Sequence, residues 1–219
     1  MLPILREGLV LELHFNELNG DIAYDLSGNG NNGTIYGATR VNEGFVRALS
    51  FDGVDDYVFV PRSLVTDEIG LDFSVAVWVA TTETGSAGYG KAWIVEKDLP
   101  AARQDDWFFG INYGKVYLVL GDKVYYSDDV IADGLWHFIG FSRKKDTKVV
   151  LFWDTKTKVF ADPGYDMRNT QNIYIGSEKG RYKFFRGPID EVLIFNRALS
   201  EEEIKTLYNY YTKKKIFER

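Results

Sequence analysis

The sequence predicts an all-β fold, a two-sheet antiparallel sandwich closed by one short C-terminal helix over about residues 200–212. Three observations predict it. Apolar and polar residues alternate over short runs along most of the chain, the period-two signature of strands with one face inward. Clusters of Gly, Asn and Asp such as SGNGNNG, FDGVDD and YGK separate these runs, and such residues suit positive-φ turns and loops closed by their own side chains. Only the C-terminal end shows clear helical spacing.

In chain order, the alternating runs are Leu9–Phe15, Asp56–Pro61, Asp72–Thr81, Trp107–Tyr113, Lys115–Leu120, Trp136–Arg143, Lys148–Asp154, Asn172–Ser177 and Pro188–Asn196. With shorter pieces between them, a sandwich of roughly 12 to 14 strands is expected. Trp78, Trp136 and Trp153 lie inside such runs and read as core. The helix starts where Ser200 can cap the amide of Glu203 and that glutamate can return the bond. Behind this box Ile204, Leu207, Tyr208 and Tyr211 form an apolar stripe, and Lys213–Lys215 complement the C-terminal end of the dipole. No Pro/Ser-rich linker and no strict repeat interrupts the pattern, so residues 1–219 read as one domain.

Composition narrows the class. The 219 residues are 45% hydrophobic and 26% charged, which is a folded chain with enough apolar mass for its own core. Absence of cysteine excludes disulfide-rich and thiolate-metal scaffolds and leaves the compartment open. A net charge of −6, from 26 basic and 32 acidic residues, argues against nucleic acid as partner. No stretch approaches the ~20 apolar residues of a membrane span, and MLPILREGLV is too short and too charged to act as a secretory signal.

Five segments in order, DLSGNGNNGTIYGA (Asp25–Ala38), LSFDGVDDYVFVP (Leu49–Pro61), FSVAVWV (Phe73–Val79), LWHFIGF (Leu135–Phe141) and GPIDEVLIFNRALSEEEI (Gly187–Ile204), resemble the laminin G-like, concanavalin A-like lectin/glucanase jelly-roll family over nearly the whole chain. The resemblance implies two curved antiparallel sheets with the first and last strands adjacent. It implies an extracellular or cell- or particle-surface location, and a carbohydrate-binding, adhesive or structural role rather than one fixed function. The chain departs from the family at Thr155, where glycine is common, so the turn there is expected to be reshaped.

A calcium site needs six to eight oxygens, which Asp21, Asp25, Asn29, Asn31 and Asn32 could supply together with carbonyls around Gly33. The resemblance adds Asp190, since related domains often hold a structural calcium there. The alternative is that the same residues merely close Asx-turns. Asp52, Asp55 and Asp56 around Gly53 read as hairpin organisers.

No catalytic constellation is visible. His14 and His137 are the only imidazoles, and there is no HExxH, GxSxG or phosphate loop. The compact E-x-D-x-E strand signature of enzymatic relatives is absent, and adjacent acids on a strand face opposite ways, so a glycosidase is not expected. A glycan site needs exposed aromatics beside amides or carboxylates. Tyr89, Trp93, Gln104, Asp105, Trp107 and Tyr126 are the candidates, with Tyr113, Tyr125, Arg181, Tyr182 and Lys183 nearby in the same loops and strand ends. Trp107, preceded by two acids, is placed near a rim. The competing role is a structural or assembly domain, in which the tail YNYYTKKKIFER docks against another subunit or a neighbouring domain.

Overall fold

The computed structural model describes residues 3–43, 46–84, 91–97 and 105–217. Two eight-stranded antiparallel sheets pack face to face. After a 3-10 turn (Pro3–Arg6) come β1 (Leu9–Leu13), β2 (Ile22–Ala23), β3 (Gly33–Tyr36), β4 (Thr39–Glu43), β5 (Val46–Asp52) and β6 (Tyr57–Val60). A one-turn helix α1 (Leu64–Asp67) leads to β7 (Phe73–Ala80), β8 (Lys91–Lys97), β9 (Trp107–Asn112), β10 (Lys115–Leu120) and β11 (Lys123–Val130). The chain closes with β12 (Trp136–Lys144), β13 (Lys148–Trp153), β14 (Lys156–Ala161), β15 (Ile173–Ile175), β16 (Arg186–Phe195) and α2 (Glu201–Phe217).

Sheet A has the order β14-β13-β12-β7-β16-β5-β4, and β1 lies beside the second half of β16. Sheet B has the order β11-β10-β9-β8-β15-β6-β3-β2. First and last strands are thus antiparallel neighbours, with Leu13 opposite Val192. The fold is the expected all-β two-sheet sandwich with one C-terminal helix. Among the described residues sixteen strands stand against the expected 12 to 14, because short strands form inside the Gly/Asn-rich N-terminal region and β14 extends the β12–β13 hairpin. The helix also continues past residue 212, to Phe217.

One core joins the sheets. Val77 and Ile139 of sheet A meet Val58, Ile94 and Phe109 of sheet B in the same buried cluster. The outer face of sheet A carries Ala76, Trp78, Phe138 and Phe152, and α2 covers it with Ile204, Leu207 and Tyr211. The helix begins as expected: the Ser200 amide donates to the Glu203 carboxylate at 2.8 Å and the Glu203 amide returns to Ser200 Oγ at 3.3 Å. Trp78 and Trp153 are buried, while Trp136 is half-buried. At Thr155 the hairpin turn is built without glycine, because Asp154 takes φ 54° and its carboxylate accepts the Phe138 amide at 3.0 Å. Among the described residues no helix is long and apolar enough to cross a membrane.

Candidate recognition surface

In the N-terminal loop the predicted donors form Asx-type turns. Asp25 accepts the amides of Glu12, Ser27 and Asn31 at 2.9–3.0 Å and the Ser27 hydroxyl at 2.8 Å. Asn29 and Asn31 aim their NH2 groups at the β1 carbonyls of Leu9 and Val10, and Asn32 accepts the Asp25 amide. Gly33 is needed for space, since a Cβ there would lie 2.6 Å from Val58. Asp21 is exposed, and Asp190 is buried on β16 opposite Trp78, accepting the Glu191 amide. The acids expected to share an ion are not brought together. Among the described residues, the one trio of metal-ligating groups within 4.8 Å is Asp52, Asp55 and Asp56. Burial, followed by the charges of Asp52 and Asp55, raises the Asp56 carboxyl, and an acidic trio of this kind could coordinate a metal ion.

The expected sugar-stacking tryptophans lie inside. Trp107 is fully buried against Phe73 and Phe141, on the same face of β9 as Phe109 and Ile111. Trp93 is 2% exposed, sandwiched between Phe108 at 4.9 Å and Tyr117 at 5.4 Å, with its indole N–H donated to Glu178. Their large apolar area accounts for this placement: burial stabilises an aromatic by more than a rim position would. Asp105 precedes β9 and its carbonyl accepts from the Asn169 side-chain NH2. Tyr126 is half-buried, its hydroxyl accepting from Asn112 at 2.8 Å. Tyr89 and Gln104 fall outside the described residues.

A different surface emerges on the outer face of sheet B. There Tyr36 of β3 stacks on Tyr57 of β6, ring centroids 4.6 Å apart and 15° from parallel. Tyr57 continues to Tyr174 of β15 at 6.1 Å, and Tyr174 meets Phe59 at 5.4 Å. Pairing of β3, β6 and β15 sets this ladder, because Tyr36 is opposite Tyr57 and Phe59 is opposite Tyr174. Tyr36 is 45% exposed and Tyr57, Phe59 and Tyr174 are half-buried. Val58 and Val60 point the other way, into the core.

The Ser177–Lys183 loop folds over this face beside the ladder. Gly180 is required at its apex, where a Cβ would lie 2.8 Å from the Tyr57 ring. Lys179 donates its amide to buried Glu96, and Trp93 donates its amide to the Lys183 carbonyl. Arg181 and Tyr182 project outward, Tyr182 63% exposed. Sequence reasoning named these two residues but missed the ladder, although the alternation of Tyr57 and Phe59 with Val58 and Val60 was its signal.

The histidines serve structure. His137 lies between Asp154 at 2.7 Å and Asp133 at 3.1 Å, and the Asp154 bond, against burial, raises its pKa. His14 bridges Glu12 and Glu191 beneath the end of α2.

A two-sheet antiparallel jelly roll with paired terminal strands, one sheet face covered by a helix and the other carrying exposed aromatics, is the architecture shared by jelly-roll domains of the lectin and glucanase kind. The family model Laminin_G_3, described as the Concanavalin A-like lectin/glucanases superfamily, matches residues 52–205, and the chain belongs to that superfamily. No curated protein matches the sequence. Among solved structures, the binding domain of Paraclostridial Mosquitocidal Protein 1 is similar over 94% of this chain and 53% of its own, with 18% identity and TM-score 0.72. The binding domain of Botulinum neurotoxin DC in complex with rat synaptotagmin II aligns over 94% and 52%, with 15% identity and TM-score 0.71. The same toxin domain in complex with SialylT aligns over the same shares, with 14% identity and TM-score 0.70. The chain spans about half the length of these structures, and at such identities the likeness is one of fold.

Proposed function

We propose that the chain is a non-catalytic carbohydrate-binding or adhesion module of a surface or secreted assembly, and that it holds its glycan on the outer face of sheet B. The observation that carries this reading is the tyrosine ladder left open on that face while α2 seals the opposite one. Aromatic faces suit the C–H faces of sugar rings, and a rigid sheet presents them preorganised. Toxin binding domains of the same fold, solved with a protein and with SialylT as partners, support a recognition role outside the cell. A bound calcium, if the module uses one, has its candidate donors in Asp52, Asp55 and Asp56, in the turn that leads into Tyr57.

The test is binding of the whole chain to an oligosaccharide array, with Tyr57→Ala beside it. Glycan binding that Tyr57→Ala abolishes, with the melting transition kept, supports the module. Self-association without any sugar response would instead favour the structural or assembly role, and release of a cleaved product would make the chain an enzyme.

A further inference from the structure

We propose that the ligand of this face is an acidic glycan, with sugars bearing carboxylate or sulfate, and that Arg181 reads the anion while Tyr182 and the ladder take the ring. This deepens the proposed function and rests on it.

The loop that carries Arg181 is built at a conformational cost. Lys179 and Lys183 both adopt left-handed φ values, 53° and 52°, which side-chain-bearing residues seldom take. Two bonds within the loop and one to β8 hold them there: the Gly180 amide to Ser177 Oγ at 2.9 Å, the Glu178 amide to the Tyr182 carbonyl at 2.7 Å, and the Lys179 amide to Glu96 Oε1 at 2.9 Å. Glu96 has no exposed surface, so a buried carboxylate is committed to shaping this loop. Such strain persists where the surroundings over-determine a functional conformation.

The charges on the loop point to the ligand. The loop itself carries Lys179, Arg181 and Lys183 against Glu178, and the neighbouring β8 adds Lys91, over the Trp93 and Tyr117 rings, and buried Glu96, on a chain whose net charge is −6. Both acids are engaged, Glu178 with Lys183 and the Trp93 indole, Glu96 with the Lys179 amide. Arg181 is exposed and forms no ion pair among the described residues. Its planar fork of donors suits a carboxylate or sulfate bidentately, and the neighbouring tyrosine rings favour a sugar over a peptide as carrier of that anion.

The experiment measures affinity of the whole chain for three sets of oligosaccharides of matched length: neutral, uronic- or sialic-acid-containing, and sulfated. Arg181→Gln and Tyr182→Ala are compared with Lys205→Gln on α2, and each variant's melting transition is recorded. The expected result is that an acidic set binds about tenfold or more above the neutral one, and that added salt erodes the difference. Arg181→Gln should remove most of that preference and Lys205→Gln none of it, while the two acidic sets show whether carboxylate or sulfate is read. Equal binding of neutral and acidic sugars, with Arg181→Gln silent, overturns the acidic assignment and leaves the glycan module standing. No binding of any of the three sets overturns both.

Discussion

His14 shows how a single residue ties three elements together. Its ring nitrogens face Glu12 of β1, at 3.0 Å, and Glu191 of β16, while Lys214 of α2 reaches Glu191 at 2.7 Å and Arg6 reaches Glu12 at 3.2 Å. The Tyr211 hydroxyl is also buried there, pushed up by burial and then by Glu191, Glu12 and Asp190. Burial opposes a charge on His14, but the bonds to Glu12 and Glu191 prevail and raise its pKa to about 9. The folded value lies above the ordinary 6.5, so the stabilisation is complete below that pH and is lost as pH rises through 9. Melting temperature should therefore fall between pH 6.5 and 9, and His14→Gln should flatten that slope at a cost on the order of 3 kcal/mol at neutral pH. Arg143 is the second such residue. Wholly buried, it pairs with buried Asp162 and donates to the carbonyls of Gly70, Leu71 and Tyr165. Arg143→Ala strands that carboxylate and should destabilise by about 3–5 kcal/mol in denaturant melts. At this scale the sequence was half legible. Period two in WFFGINY already placed Trp107 with Phe109 and Ile111 and left Gly110 and Asn112 outward, whereas the acids before Trp107 suggested a rim.

At the scale of elements, β16 does the most joining. It pairs with β7 from Ile189 to Phe195, with β5 through Ile189 and with β1 from Val192, and a bulge after Asp190 marks the changeover. Glu191 sits in that bulge at φ 52°, and the bulge aims its carboxylate at His14 and Lys214. The strong strands and the capped helix were legible, because periodicity and the Ser200–Glu203 box are local signals. Register is not local: the Tyr36–Tyr57–Tyr174 ladder exists only once β3, β6 and β15 pair across long stretches of chain. Helix α2 offers two measurements of its own. Ser200→Ala removes the cap and should cost about 1 kcal/mol, and Leu207→Ala, buried over sheet A, about 2–5 kcal/mol. In the β5–β6 turn, calcium bound by the Asp52 trio would relieve like-charge repulsion. Millimolar calcium should then raise the melting temperature, Asp55→Asn should blunt the rise, and an unchanged transition would assign the trio to hairpin shape alone.

Across the whole molecule, the two sheets have opposite exteriors around a shared interior. Alternation along each strand made the sandwich legible, but which outer face α2 would cover was not, since no local pattern names the partner of an amphipathic helix. The interior makes its own prediction about domain organisation. One buried cluster contains residues of both sheets, Leu11, Val77 and Ile139 beside Val58, Ile94 and Phe109, so neither sheet can leave without exposing the inner face of the other. The second cluster, under α2, shares β7, β12, β13 and β16 with the first through the opposite faces of the same strands. Loss of either layer therefore unravels strands that the other needs. Residues 1–219 should unfold as one cooperative unit, with calorimetric and van't Hoff enthalpies equal and with coincident transitions by tryptophan fluorescence and far-ultraviolet circular dichroism. The fluorescence is a fair probe of both layers, because Trp107 and Trp153 report from between the sheets and Trp78 from beneath the helix. An earlier transition in which α2 melts alone would show that the helix layer is a separable unit docked on a self-sufficient sandwich.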